Sequence, residues 1–140
     1  KKVTIVTNSI ALALEGAPNP NFKIILLGGD VDSNYQFTYG VSALNELDRY
    51  TADMFILSVD GIDLNNGIST FYHHEAEICR SMMNRCRRTV VVGDHSKIGR
   101  IAFAKISDIN RVDAIVTDYF TDKSAFQKLR KKGIDVIEAI

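Results

Sequence analysis

The chain has 140 residues, 46% of them apolar, and its seventeen basic side chains balance seventeen acidic ones. That is enough for one domain with a real core, too hydrophobic for a disordered tail, and without the net positive field that holds nucleic-acid phosphates. No apolar run approaches the length of a membrane span, no signal peptide is visible, and two free thiols, Cys79 and Cys86, suit a reducing cytoplasm.

Taken in order, short β-branched runs alternate with segments of helical spacing. The run Val3–Val6 reads as a strand, and Ser9 is placed to cap a short helix over Ser9–Glu15. Because the chain opens inside a strand pattern, we expect a longer protein whose N-terminal part precedes it. "GAPNPN", Gly16 to Asn21, holds both prolines and reads as a turn before a second strand, Lys23–Leu27. In "SNYQFTYG", Tyr35, Phe37 and Tyr39 recur at every second position, as in a short extended piece packed on the core or against another subunit. A helix over Val41–Tyr50 follows, then the apolar strand Met54–Val59.

Farther along, Ile78, Met82 and Cys86 fall at i, i+4 and i+8, which predicts a helix over Glu75–Arg87. Both cysteines would then lie in one helix, about 10 Å apart along its axis and too far for a disulfide. Strands at Thr89–Val92 and Ala114–Thr117 come next. Asp122 is placed to cap a helix over Ser124–Lys132, Gly133 to stop it, and Ile134–Ile137 to form the last strand. This alternation predicts one α/β domain with a mainly parallel sheet and helices on both faces.

Ligands of such sheets bind beyond the carboxyl ends of the strands. After the first strand, Thr7, Asn8 and Ser9 run into a helix, where hydroxyls beside helix N–H groups can seat a phosphate or simply cap. After the second, Gly28 and Gly29 allow close backbone approach of a ligand, or a tight turn. After the third, "VDGID" offers Asp60, Gly61 and Asp63 to sugar hydroxyls or proton transfer, and Ser69, Thr70, Glu75 and Glu77 follow. After the fourth, "GDHSKIGR" places Lys97 beside Ser96, a cation for an anionic ligand. His73, His74 and Glu77 raise a metal question, but a zinc site wants at least three ligands with supporting spacing, and neither metal nor cofactor is expected. "KLRKKG" at residues 128–133 reads as a solvated helix face.

Several of these pieces, in this order, resemble the C-terminal effector-sensing domain of the DeoR-type transcriptional repressors. They are "VTNS" at Val6–Ser9, "ILLGGD" at Ile25–Asp30, "SVDGID" at Ser58–Asp63, "GIST" at Gly67–Thr70, "EAEICRSM" at Glu75–Met82, "GDHSKIG" at Gly93–Gly99 and "VTD" at Val116–Asp118. The resemblance implies a Rossmann-like fold related to ribose-5-phosphate isomerase, spanning residues 1–140. It also implies a phosphorylated sugar or related metabolite as effector, homo-oligomeric assembly, and DNA binding only through an N-terminal helix-turn-helix outside this chain. On that pattern Thr7, Asn8, Ser9 and Lys97 hold the phosphate, Asp60, Gly61 and Asp63 meet sugar hydroxyls, and Glu77 falls near where the isomerases carry their base; Gly28, Gly29 and Thr70, from the strand ends, complete the expected ligand-binding set. The chain departs from it in carrying Cys79 where many members have lysine and His95 where many have serine. A sugar-phosphate isomerase is the alternative, since Asp60, Asp63, Glu77 and Lys97 suit proton transfer, but the glycine-rich segment those enzymes share is missing. A purely structural oligomerisation module would leave the polar strand ends unexplained.

Overall fold

The computed structural model describes residues 1–139 and divides into two compact units, Lys1–Tyr50 and Thr51–Ile140. In the first, β1 (Val3–Thr7) and β2 (Phe22–Leu26) pair in parallel, Val3 opposite Phe22 through Thr7 opposite Leu26. They are joined through α1 (Ile10–Gly16), which Ser9 caps: its backbone is extended and its Oγ accepts the Leu12 N–H at 3.2 Å. The helix stops just before Pro18 and Pro20, where Asn19 Oδ1 accepts the Asn21 N–H and closes the turn.

A hairpin that the sequence reading did not foresee follows, β3 (Asp30–Asp32) against β4 (Phe37–Tyr39), and then α2 (Val41–Leu47). Thr38 ties the hairpin to the neighbouring strand ends: its N–H donates to Asn8 O at 2.8 Å and its hydroxyl to Leu27 O at 2.7 Å. Of the alternating aromatics, Phe37 is buried, Tyr39 half-buried and Tyr35 exposed.

The second unit is built on a four-stranded sheet, ordered β11–β10–β8–β5, from β5 (Ala52–Ser58), β8 (Cys86–Val92), β10 (Ala114–Asp118) and β11 (Asp135–Ala139). Every pair is parallel, with Ser58 opposite Val92, Val92 opposite Val116 and Val116 opposite Ile137. Side chains alternate between the two faces of such a sheet. Leu57, Val91, Ile115 and Val136 share the face that joins the core with Ala76, Cys79 and Met83 of α3 (His73–Asn84) and Phe126 and Leu129 of α4 (Ser124–Lys131). Met54, Ile56, Val92 and Ile137, on the other face, are exposed. The six strands expected from sequence are present, all in parallel pairs, and helices flank the sheet as a Rossmann-like fold requires.

A second sheet, of β6 (Gly61–Asp63), β7 (Gly67–Thr70) and β9 (Ala104–Ser107), is antiparallel and buried around Ile62, Ile68 and Ile106. Its turn is held by Asp63, whose Oδ2 accepts the N–H groups of Asn65 and Asn66 at 3.0 and 2.7 Å.

The helix expected over Glu75–Arg87 starts two residues earlier and ends at Asn84, so Cys86 is the first residue of β8. The apolar repeat Ile78–Met82–Cys86 runs on past the helix end because the ladder takes over: the Ala52 N–H donates to Arg85 O at 2.8 Å and Ala52 pairs with Cys86. Both thiols are free. Asp122 stands one residue outside its expected cap position, yet its carboxylate accepts the Ser124 N–H at 3.0 Å.

Gly67 and Gly133 separate two costs of replacing glycine. Both have φ near +86°, but a methyl at Gly67 would collide with Ser107 O and one at Gly133 would meet open space. Gly133→Ala is expected to cost about 1 kcal/mol from backbone strain alone. Gly67→Ala should cost roughly 3 kcal/mol or more, because it adds a clash with backbone that cannot move cheaply. Urea denaturation of both variants checks the difference.

Candidate functional site

Parallel register brings the carboxyl ends of β5, β8 and β10 to one edge of the sheet, and each ends in polar sequence: Asp60, then Gly93–Lys97, then Asp118. Asp60 Oδ2 accepts both the Thr70 hydroxyl and the Phe71 N–H at 3.0 Å, which holds the start of α3 beside the end of β5. Gly61 is required by closeness: a methyl there would lie 2.5 Å from Arg100 O and 2.6 Å from Ser69 Oγ. Ser69 is fully buried and accepts the Ala102 N–H at 2.8 Å.

The loop after β8 opens with Asp94, whose Oδ1 accepts the Ser96 N–H at 2.8 Å and starts a single 3-10 turn, His95–Lys97. The Ser96 hydroxyl, then this backbone bond, holds the Asp94 carboxyl below its ordinary range. His95 bonds to β10 twice: its N–H donates to Asp118 Oδ1 at 2.6 Å, and its Nδ1 lies 2.8 Å from Asp118 Oδ2. Its ring stacks on Phe120 with centroids 4.3 Å apart. The backbone bond from His95, then the ring bond, keep the Asp118 carboxyl low as well. The loop leaves along β6, with Ile98 bridged to Ile62 and the Gly99 N–H donating to Ile62 O at 2.7 Å. The structure thus brings the Gly61–Asp63 strand and the Lys97 loop together. Lys97 is half-buried, its charge reaches Asp94, and it makes no ion pair among the described residues.

Other expected site residues hold the chain itself. Asp63 caps the β6–β7 turn. Thr70 is buried on Asp60. Glu77, half exposed on α3, faces His74 at 3.9 Å, whereas the His73 ring lies tilted against His74; among the described residues no three His, Cys, Asp or Glu side chains converge as a metal site would need. Cys79 packs in the core, and burial followed by the Glu75 carboxylate pushes its thiol far above the usual range, so it is inert.

Thr7, Asn8, Ser9, Gly28 and Gly29 lie in the first unit. Thr7 Oγ1 accepts the Ser9 N–H at 3.0 Å, the Asn8 amide donates to Thr38 O at 3.1 Å, and Thr7 and Asn8 are buried. The Gly28 N–H donates to Glu46 Oε2 at 2.9 Å, and Gly29, at φ +126°, is crowded by Tyr39 O. The close approach that needs glycine here is made by the chain's own backbone.

Sequence reasoning missed two features. One is Asp118, which it quoted only within a motif, although a carboxylate ending an apolar strand was itself the signal. The other is a groove of about 340 Å³ lined by Arg80, Lys105 and Arg111, with each cation already engaged, on Lys105 O, Asp108 and Asn84 respectively.

Comparison with known proteins identifies the architecture. The family model for the DeoR C-terminal sensor domain matches residues 1–119. The glycerol-3-phosphate regulon repressor of Escherichia coli K12 is 34% identical over 132 residues, covering 94% of this chain and 52% of that protein. A putative aga operon transcriptional repressor of Escherichia coli O157:H7 is 35% identical over 96% of this chain and 50% of its own length. The transcriptional regulator GolR of Listeria innocua is 30% identical over 96% of this chain and 53% of its own. The chain spans about half the length of these curated relatives. It belongs to the DeoR C-terminal sensor domain family.

The depressed carboxyls of Asp94 and Asp118 set an acid limit. A carboxyl lowered in the folded state contributes stability above its unfolded value, about pH 4, and that contribution is lost as pH falls through the lowered value. Melting temperature should therefore fall modestly below about pH 4, since both carboxyls face solvent, and Asp118→Asn should reduce its share of that fall. An unchanged acid limb in the variant would count against the His95–Asp118 geometry.

Proposed function

We propose that this DeoR-type sensor domain binds a phosphorylated sugar or polyol at the carboxyl edge of its parallel sheet, acting in the cytoplasm, and thereby changes DNA affinity in the longer protein to which it belongs. The observation that carries the reading is Lys97. It is a partly buried lysine with no ion pair among the described residues, on a loop fixed to Asp118 and to Ile62, the residue after Gly61. A phosphate dianion satisfies such a cation, and Ser96, exposed beside it, adds a hydroxyl donor. Asp60 suits ligand hydroxyls, since only one of its carboxylate oxygens is taken up by Thr70 and Phe71. One relative's name, a glycerol-3-phosphate regulon repressor, carries a ligand class of this chemistry. In the first unit, Thr7, Asn8 and Ser9 are proposed as ligand contacts on the family resemblance. Thr7 and Ser9 accept backbone bonds and keep their hydroxyl protons to donate.

DNA recognition is assigned to the part of the protein outside this chain, because a chain of zero formal charge has no net field for phosphate backbones. The ligand acts by favouring one arrangement of the repressor over another; equal affinity for both would change nothing.

Two outcomes are expected. In titration calorimetry against glycerol-3-phosphate and pentose and hexose monophosphates, at least one should bind while its unphosphorylated parent does not. Lys97→Ala should weaken that binding by about 2 kcal/mol. Binding of the parent with equal affinity would refute the phosphate assignment. We also expect no turnover. Incubated for hours, the bound sugar phosphate should give an unchanged proton NMR spectrum. Aldose–ketose conversion abolished by Glu77→Gln would establish the isomerase alternative instead.

A further inference from the structure

Lys97 can meet a phosphate only if the short loop that carries it holds still. From Gly93 to Gly99 the loop has internal bonds: the Ser96 N–H to Asp94 Oδ1, and the Lys97 N–H to Asp94 O at 3.1 Å. These shape the 3-10 turn without fixing it to the sheet. Its fixed points are three. The Gly93 N–H donates to Val116 O at 3.1 Å at the near end, the Gly99 N–H donates to Ile62 O at the far end, and Asp118 grips the middle. The middle grip is the unusual one. A single carboxylate takes the His95 main-chain N–H on one oxygen and the His95 ring on the other, and Thr117 Oγ1 lies 3.3 Å from the first. Phe120, stacked on the imidazole, closes the ring's outer face and is itself backed by Phe126 of the core. The charges around this clasp are Asp118 from β10 and Asp94 and Lys97 from the loop. Lys123 and Glu138, on the neighbouring segments, pair with each other.

We propose that Asp118 is a positioning residue for the effector: through the two arms of His95 it sets the loop so that Lys97 stands where the ligand's phosphate arrives. Asp118 need not touch the ligand. The inference deepens the phosphosugar reading and rests on it. It also gives His95 a role distinct from a small polar residue, since serine at this position would supply the main-chain arm alone.

The test is a double-mutant cycle in ligand affinity, read by calorimetry with the tightest of glycerol-3-phosphate, ribose-5-phosphate and glucose-6-phosphate. Asp118→Ala in the native background should weaken binding about tenfold, and His95→Ala, which keeps the main-chain arm, about threefold. Asp118→Asn, which keeps an acceptor for the His95 N–H, should recover most of the loss. In a Lys97→Ala background Asp118→Ala should cost nothing further, because its effect passes through Lys97. Equal weakening in both backgrounds would mean Asp118 only supports the fold, and would overturn the inference. Hydrogen exchange gives a reading independent of any ligand. In Asp118→Ala the Ser96 and Lys97 amides should exchange faster while the β8–β10 ladder stays protected; unchanged loop amides would overturn it too. If the native chain binds none of the three phosphates, the phosphosugar reading falls and the inference with it. If Lys97→Ala weakens binding as expected but the cycle is additive, only the inference falls.

Discussion

Parallel pairing is the constraint from which the second unit follows. A strand can rejoin a sheet in the same direction only by returning the chain to the starting edge, so each of β5, β8 and β10 is followed by a crossover that begins at one common edge. The crossover after β5 carries the buried antiparallel sheet strands β6 and β7 and then α3; the one after β8 carries the Lys97 loop and β9. Their first residues cannot be apolar, because they leave the sheet for solvent, nor random, because each must satisfy the backbone groups that the ladder abandons. Asp60, Asp94 and Asp118 do this work, each accepting at least one backbone N–H. A cluster of carboxylates at one edge is thus partly a structural necessity.

That necessity separates ligand chemistry from scaffolding. Asp63 is engaged by its near neighbours, Asp118 by His95 across 23 residues, and Thr70 is buried beneath Asp60. Among the described residues, the edge still presents a cation, Lys97, a hydroxyl, Ser96, that also serves Asp94, and one oxygen of Asp60. Cation plus hydroxyl donor suits an oxyanion, and a carboxylate acceptor suits a polyol, a pairing that fits a sugar phosphate better than a metal or a peptide. Cys79 is sealed in the core as a neutral thiol and is not available as a nucleophile.

The parallel strands were legible because burial on one or both faces selects short β-branched runs such as Ile115–Val116 and Thr89–Val92, which stand out against charged helices. The hairpins were not, since "DVD", "GID" and "GIST" are three- or four-residue strands rich in residues that also make turns, and their pairing is decided by tertiary context. Cys86 went astray because helical periodicity carries no mark of where a helix hands over to a strand when neither glycine nor proline intervenes. Of the residues of the proposed site, Asp60, Gly61 and Lys97 were legible from their place after apolar runs. Asp63 and Gly29, expected as ligand groups, also have roles in local turn geometry that the sequence did not show, and His95 was noticed as a departure without its Asp118 partner, which is 23 residues away. Contacts at that range have no signature in a single sequence.

The central claim is that phosphate is received at the carboxyl edge of the sheet by the loop after β8. A ¹H–¹⁵N correlation spectrum of the chain, titrated with glycerol-3-phosphate and hexose phosphates, tests it most directly. The account predicts that the largest shifts fall on Gly93–Lys97 and on Asp60–Gly61, with Arg80, Lys105 and Arg111 unmoved. Shifts centred on those three cations, with the Lys97 loop unchanged, would place the anion site in the groove instead and contradict it.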